Sequence, residues 1–300
     1  MSVAEATRAL CEQVLELDLD PDTRARVLAT RERLDGPLRV ALAGRVKAGK
    51  STLLNALVGE RLAPTDAGEC TRIVSWYREG LGYGVSAELL DGEQRQVEFR
   101  RNGELHVELG ELTPESVRRL VVDWPSDRLA ATTLIDTPGL ASLDRVVSDR
   151  TLEALGTDGR GAPDADAVVY LMRHLHRVDA DFLEGFVTGS DAGASPVNSI
   201  AVLSRADEIG AGRLDAMQSA RSVAAAYERD GRTSALSSQV VAVAGLVAET
   251  AQTLTESEFH VLRRLASLPD ALVEALLLSV DRFVDFDPDG SVSAVGVDRA

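Results

Sequence analysis

The eight residues 44–51, Gly-Arg-Val-Lys-Ala-Gly-Lys-Ser, constrain the fold more than any other stretch of this 300-residue chain. They fit the pattern G-x-x-x-x-G-K-[ST], in which the glycines let backbone N–H groups curl around phosphate oxygens. An apolar run at 38–43 comes before them and a helical stretch at 51–58 comes after them. A strand, a glycine loop and a helix N-terminus together favour an anion. The sequence therefore predicts a nucleotide phosphate site at this loop.

Two side chains of the loop carry the predicted chemistry. Lys50 is expected to place its charge on the β- and γ-phosphates, and the Ser51 hydroxyl is expected to ligate Mg²⁺. The loop residues predicted to contact the nucleotide are Gly44, Val46, Ala48, Gly49, Lys50, Ser51 and Thr52.

A second nucleotide element follows at 133–139, which reads Thr-Leu-Ile-Asp-Thr-Pro-Gly. The apolar part predicts a strand that ends in D-x-x-G. Asp136 is then placed to hold the Mg²⁺ shell through water, and the Gly139 N–H is placed to sense a γ-phosphate. Asp-Thr-Pro-Gly alone is typical of a simple turn, but its position after a strand and downstream of a phosphate loop favours the nucleotide role.

The third element, Leu-Ser-Arg-Ala-Asp at 203–207, is a degraded form of [NT]-K-x-D. Asp207 would accept hydrogen bonds from guanine N1–H and the 2-amino group, which adenine does not offer. Arg205 stands where lysine is usual, and its flat guanidinium is suited to lie on a purine face. Ser204 stands where asparagine or threonine is usual. A plain strand-to-loop turn remains an open alternative.

A threonine between Ser51 and Asp136 is expected to close on Mg²⁺ in the triphosphate state. The candidates are Thr65 and Thr71, and we favour Thr71 because it directly precedes a predicted strand, where a switch loop would end. A capping or loop hydroxyl is the alternative. The predicted metal ligands are therefore Ser51, Thr71 and Asp136.

Strands and helices alternate along the chain, which predicts a mostly parallel α/β sheet with helices on both faces, as in P-loop NTPases. A β-hairpin is predicted across Asp91-Gly92 and a helix is predicted to begin at Thr113-Pro114. The separation of Ser51 and Asp136 exceeds that of a minimal Ras-like domain, so extra strands are expected between them. The apolar runs that predict the main strands are 38–43, 131–135, 167–171, 199–203 and 240–244.

The same patterns divide the chain into four parts. Residues 1–36 are predicted to form N-terminal, neck-like helices and residues 37–253 a nucleotide-binding domain. Residues 254–285 are predicted to form C-terminal, neck-like helices, followed by a tail at 286–300.

The charge and the cysteine content limit which classes of binding partner and which cellular setting we expect for the chain. The chain has 48 acidic and 32 basic residues and a net charge of −16, which disfavours nucleic acid and anionic surfaces. Its two cysteines, together with the lack of a secretory pattern or a long apolar run, favour a reduced, cytoplasmic setting. The pair His174 and His176 is read as solvated loop rather than as a metal site.

These residues resemble a bacterial dynamin-like GTPase. The stretch 47–57, Lys-Ala-Gly-Lys-Ser-Thr-Leu-Leu-Asn-Ala-Leu, is similar to the phosphate loop and first helix of that family. Asp-Thr-Pro-Gly at 136–139 matches its third element, and Cys-Thr-Arg at 70–72 resembles its switch threonine-arginine pair. The amino-acid sequence of residues 64–71 most resembles the same stretch of actinobacterial dynamin-like proteins of the isoniazid-inducible kind. The resemblance covers about 38–280.

The resemblance implies GTP hydrolysis to GDP with Mg²⁺, driven by head-to-head dimerisation with itself or with a related dynamin-like protein. Val46 and Lys47 stand where eukaryotic dynamins carry glutamine and serine. Lys47 is a candidate for stabilising developing charge beside Lys50 and Thr71, and a solvated loop lysine is the equal alternative. Leu140 follows the D-x-x-G element where Ras has its water-orienting glutamine.

Full dynamin-like proteins carry a long helical stalk and a lipid-binding tip after the GTPase domain. No stalk is expected before Ala300, so the chain is read as either a fragment or a stalkless GTPase. The resemblance implies membrane contact only through parts beyond this sequence, peripherally at the inner face of the plasma membrane. Two other functions stay open: a translation or ribosome-assembly GTPase, which the negative charge disfavours, and a nucleotide-binding scaffold with negligible hydrolysis.

Overall fold

The computed structural model describes residues 2–64, 72–101, 105–139, 164–174, 179–180, 182–184, 196–210, 215–279 and 282. The strands are β1 (Leu38–Gly44), β2 (Val74–Glu79), β3 (Gly84–Leu89), β4 (Gln94–Gln96), β5 (Glu98–Arg101), β6 (Leu105–Glu108), β7 (Val117–Trp124), β8 (Thr132–Asp136), β9 (Ala167–Met172), β10 (Ser199–Ser204) and β11 (Gln239–Val243). The helices are α1 (Val3–Leu15), α2 (Pro21–Asp35), α3 (Lys50–Val58), α4 (Ala216–Arg229), α5 (Gly231–Ser234), α6 (Gly245–Thr253), α7 (Glu256–Leu265) and α8 (Asp270–Leu276).

Nine of these strands form one sheet in the order β11-β10-β9-β1-β8-β2-β7-β3-β4. The five strands from β11 to β8 are parallel to their neighbours. Beyond β8 the sheet is mixed, because β2 is antiparallel to β8, parallel to β7, and β7 is antiparallel to β3. The predicted fold class is confirmed, and the extra strands expected between Ser51 and Asp136 are β2 to β7.

The sheet separates two apolar cores. Leu42 packs with Leu53 and Leu54 of α3 on one face, whereas its neighbours Ala41 and Ala43 pack with α4 on the other. This alternation along β1 follows from the two-residue period of a strand. A central strand that is apolar on both faces is what a helix-covered parallel sheet requires.

The helix predicted at Thr113-Pro114 is wrong, because the chain makes a turn there and enters β7 at Val117. The Ser116 backbone N–H donates to the Thr113 carbonyl, and the Ser116 hydroxyl also donates to that oxygen, 2.8 Å away. Serine side chains that bond the local backbone compete with helix formation. The β-branched residues that follow then pair with β2 and β3 on both sides.

Helices lie at both ends of the part of the chain that the structure describes. Ser2 and Glu5 form a capping box at the start of α1, and α1 packs on α2. The expected C-terminal helical region is two helices, because Pro269 directly precedes α8 and separates it from α7. Within the described ranges, no helix combines the length and apolar character needed to cross a bilayer.

Candidate nucleotide site

The carboxyl ends of the five parallel strands meet at one edge of the sheet, where parallel α/β folds place their ligands. β1 ends there at Gly44, and the loop that follows leads into α3. Gly49 caps α3 in the left-handed region, with φ 93°, a conformation that glycine adopts without steric cost. The free N–H groups of the first turn of α3 therefore point into the loop, as an anion site requires.

Lys50 is held inside this loop. Its ammonium donates to the carbonyl oxygens of Gly44 at 3.3 Å and Arg45 at 3.4 Å, and the residue is 8% exposed. Burial lowers the pKa of Lys50, and the nearby Asp136 carboxylate opposes that shift. Lys47, by contrast, is exposed and adopts a positive φ of 63°. The structure thus gives the two loop lysines different environments.

Ser51 and Asp136, two of the predicted metal ligands, meet across the site. The Ser51 hydroxyl donates to Asp136 Oδ2 at 3.1 Å, whereas the shielded Oδ1 has no hydrogen-bond partner among the described residues. Burial raises the pKa of Asp136, partly offset by the charge of Lys50 and the bond from Ser51. A hydroxyl and a carboxylate oxygen without a partner are the hard oxygen donors that Mg²⁺ prefers, so these residues fit that ion.

The D-x-x-G element packs directly on the phosphate loop. A Cβ on Gly139 would lie 2.6 Å from Val46 Cγ2 and 2.8 Å from Val46 Cα, so only glycine fits this approach without a shift. Thr137 anchors the segment from below, since its hydroxyl donates to the Leu42 carbonyl at 2.8 Å. The two elements predicted separately from sequence therefore form one surface.

A cavity of about 190 Å³ lies beside the loop, at the ends of β10 and β11. Asp207 and Arg205 line it, together with Ala48 and Gly49 of the phosphate loop. Thr52 of α3 also contributes to the lining. The pocket joins the phosphate loop to the predicted base element, and concave sites of this kind are where small ligands bind.

Ser204 lines this cavity, but its hydroxyl is turned inward. It is buried and donates to the Met172 carbonyl at 3.1 Å. Ser204 therefore ties the end of β10 to the end of β9. Its hydrogen bond serves the fold, and the side chain that reaches the phosphate loop is its neighbour Arg205.

Arg205 joins the base element to the phosphate loop. One guanidinium nitrogen donates to the Lys47 carbonyl at 3.1 Å and the other to Glu208 Oε1 at 2.8 Å. The residue sits in the left-handed region with φ 53°. The sequence argument placed Arg205 near a base without indicating either partner.

Sequence reasoning missed seven residues of the cavity lining: Leu53, Leu171, Val202, Glu208, Val243, Gly245 and Leu246. The last three come at the end of β11 and the start of α6. The predicted strand at 240–244 could have indicated them, because residues that follow a parallel strand lie at the edge of the sheet where ligands bind. Without a polar pattern, that rule was not enough to single them out.

Some predicted residues lie outside the described residues: Thr65, Cys70, Thr71, Leu140 and His176. The switch threonine therefore stays a prediction from sequence. His174 is described and exposed. No cluster of three or more metal-binding side chains occurs among the residues that the structure describes.

Comparisons with known proteins cover the part of the chain that holds this site. A profile described as "Dynamin family" matches residues 40–183, which hold both the phosphate loop and the D-x-x-G element. The isoniazid-induced protein IniC of Mycobacterium tuberculosis is 47% identical over 257 residues, covering 85% of this chain and 52% of that protein. This chain belongs to the bacterial dynamin-like family. A bacterial dynamin-like protein of Nostoc punctiforme is 30% identical over 138 residues, 42% of this chain and 20% of that protein.

Solved structures show the same fold. One member of "an oligomerised bacterial dynamin pair" superposes with a TM-score of 0.54 at 18% identity, covering 90% of this chain and 41% of that chain. The chain spans about half the length of the curated IniC relatives it matches. The family and the fold of this dynamin-like chain are thus established over the part that holds the candidate site.

Proposed function

We propose that this dynamin-like chain binds GTP and hydrolyses it to GDP and phosphate with Mg²⁺. The observation that carries the proposal is the buried Asp136 Oδ1, which lacks a partner among the described residues beside the Ser51 hydroxyl and the enclosed Lys50 ammonium. An unpaired buried carboxylate oxygen costs stability. Such an arrangement is understandable when a ligand completes it.

The residues of the site have separate tasks in this proposal. Lys50 gives up the two loop carbonyls and donates to the β- and γ-phosphates. Ser51 would hold Mg²⁺ directly and Asp136 would hold it through water, and the ion would neutralise charge on the phosphates. Gly139, packed on Val46, senses the γ-phosphate through its N–H. Thr71 closes the site from the switch segment.

Water attacks the γ-phosphorus as the bond to the β–γ bridging oxygen breaks, so GDP is the leaving group and the γ-phosphoryl group is released as inorganic phosphate. The Leu140 side chain has no polar group that could orient the attacking water. The group that orients this water must therefore come from another segment or from a second copy of the chain. We propose that two copies associate through the nucleotide face and that Lys47, exposed beside Lys50, adds charge there. The solved dynamin relatives are an oligomerised pair that provides a mechanism for sensing and tethering membranes. In a longer protein that carries this domain, the GTP cycle would drive membrane remodelling from the cytoplasmic face.

GTP turnover at rising protein concentration tests this function. We expect a rate per molecule that climbs with concentration, falls to background with EDTA, and is lost in Lys50→Ala. A rate that does not depend on concentration would contradict self-activation. Tight GTP binding with no turnover at any concentration would favour the scaffold alternative.

A further inference from the structure

Four groups form a chain of contacts around Arg205 and Glu208, two residues of the cavity lining. Arg173 donates to Glu208 Oε2 at 2.7 Å, and Arg205 donates to Glu208 Oε1 at 2.8 Å. Arg205 then reaches the Lys47 carbonyl of the phosphate loop at 3.1 Å. Each carboxylate oxygen of Glu208 thus accepts a hydrogen bond from a different arginine.

Local geometry explains why these groups meet. Arg205 has a positive φ at the end of β10, and residues 206–208 form a short 3₁₀ turn. The side chains at i and i+3 of such a turn eclipse, which brings Glu208 back over Arg205. Arg173 directly follows β9, the neighbouring parallel strand, so it arrives at the same edge.

Arg205 needs such support to act on a base. Its side chain is 38% exposed and has many rotamers, so an unsupported guanidinium would spend much of its time in solvent. The planar guanidinium satisfies two acceptors at once and keeps a flat face free for stacking. Because Arg205 and Glu208 both line the cavity, fixing this plane fixes one wall of the cavity.

We propose that Glu208 is a positioning residue for nucleotide binding: it holds Arg205 against the Lys47 carbonyl, so that the purine meets a preset wall. Arg173 supports this by holding the second oxygen of Glu208. The inference rests on the proposed function and names a residue that lies outside the [NT]-K-x-D pattern. It also couples the base element to the phosphate loop through a single side chain, Arg205.

A double-mutant cycle on GDP binding tests the proposal. Titration calorimetry with GDP and Mg²⁺ compares wild type, Glu208→Gln, Arg205→Ala and the double variant. Because exposed ion pairs contribute modestly, we expect Glu208→Gln to weaken GDP about fivefold and Arg173→Gln to weaken it less. Glu208→Gln should have no further effect in the Arg205→Ala background, since it acts only through Arg205.

The control is Glu256→Gln on α7, whose side chain is 90% exposed, and it should bind GDP as wild type does. Thermal melting by circular dichroism should give the same midpoint for Glu208→Gln and wild type. An unchanged affinity in Glu208→Gln, or an equal loss in both backgrounds, overturns the positioning role while the proposed function stands. A wild type that binds no GDP overturns the proposed function, and this inference with it.

Discussion

Gly139 lies so close to Val46 that a methyl group on Gly139 would stand 2.6 Å from the Val46 side chain. Gly139, the proposed γ-phosphate sensor, is therefore in direct contact with the phosphate loop. A movement of Gly139 toward the loop would press on Val46.

Gly139→Ala should lower GTP hydrolysis by about tenfold or more, since the added methyl group overpacks the contact and displaces the loop. Phosphate release under saturating GTP measures the effect. The matched control is Gly82→Ala, where an added Cβ meets nothing within 4 Å. Equal rates in the two alanine variants would show that the contact at Val46 does not matter for turnover.

Lys50→Ala should weaken GTP by at least about a hundredfold, because charge-assisted hydrogen bonds to the phosphates are lost. Lys47→Ala is the comparison within the same loop, as Lys47 is exposed. We expect its GDP affinity to stay within about threefold and only kcat to fall. Fluorescent-nucleotide titration and turnover separate the two effects. A folded Lys50→Ala that binds GTP normally would refute the phosphate role.

Asp136→Asn should raise the melting temperature of the nucleotide-free protein at neutral pH and abolish Mg²⁺-dependent hydrolysis. Burial raises the pKa of Asp136 above the ordinary 3.8, so in the pH window between the unfolded and the folded pKa the folded state binds more protons than the unfolded chain. The stability contribution of this group therefore falls as pH rises through that window, and asparagine removes the cost of the ionised form.

The control for that variant is Asp164→Asn. Burial also raises the pKa of Asp164, against the opposing charge of Arg119, but Asp164 is not a predicted site residue. It should keep hydrolysis. Melting curves and phosphate release on both variants decide the matter, and a lower melting temperature for Asp136→Asn would contradict the cost assigned to its charge.

Thr71→Ala should leave GDP affinity within about twofold and reduce hydrolysis by about a hundredfold, because Thr71 is proposed to act only when a γ-phosphate is present. Thr65→Ala provides the comparison. Single-turnover hydrolysis measures both. If Thr65→Ala loses activity and Thr71→Ala keeps it, the switch residue has been assigned to the wrong threonine.

Asp207 should set the choice of base, with GTP bound at least about tenfold more tightly than ATP. Asp207→Asn should shift the preference toward xanthosine triphosphate, since an amide donates to the extra carbonyl. Competition binding with GTP, ATP and XTP measures this. Equal affinity of the wild type for ATP and GTP would indicate a generic P-loop NTPase without a guanine preference.

Much of the candidate site was predictable because its residues are close in sequence. Gly44 to Ser51 lie on one strand, loop and helix start, so the local pattern carries both the structure and the chemistry. The wrong helix at Thr113 shows the limit of such patterns. There the proline favours the start of a helix, whereas the β-branched residues that follow favour a strand. Pairing with β2 and β3 stabilises the strand.

The sequence by itself determined the phosphate loop, the end of β8 at Asp136 and the alternation that makes a parallel sheet, since each depends on neighbouring residues. Only the tertiary structure decided the strand order, the cavity wall at Gly245 and the partner of Arg205. Arg205 meets the Lys47 carbonyl across 158 positions of chain. No local propensity encodes such a contact, because it exists only once β1, β9 and β10 have paired and brought their carboxyl ends to the same edge.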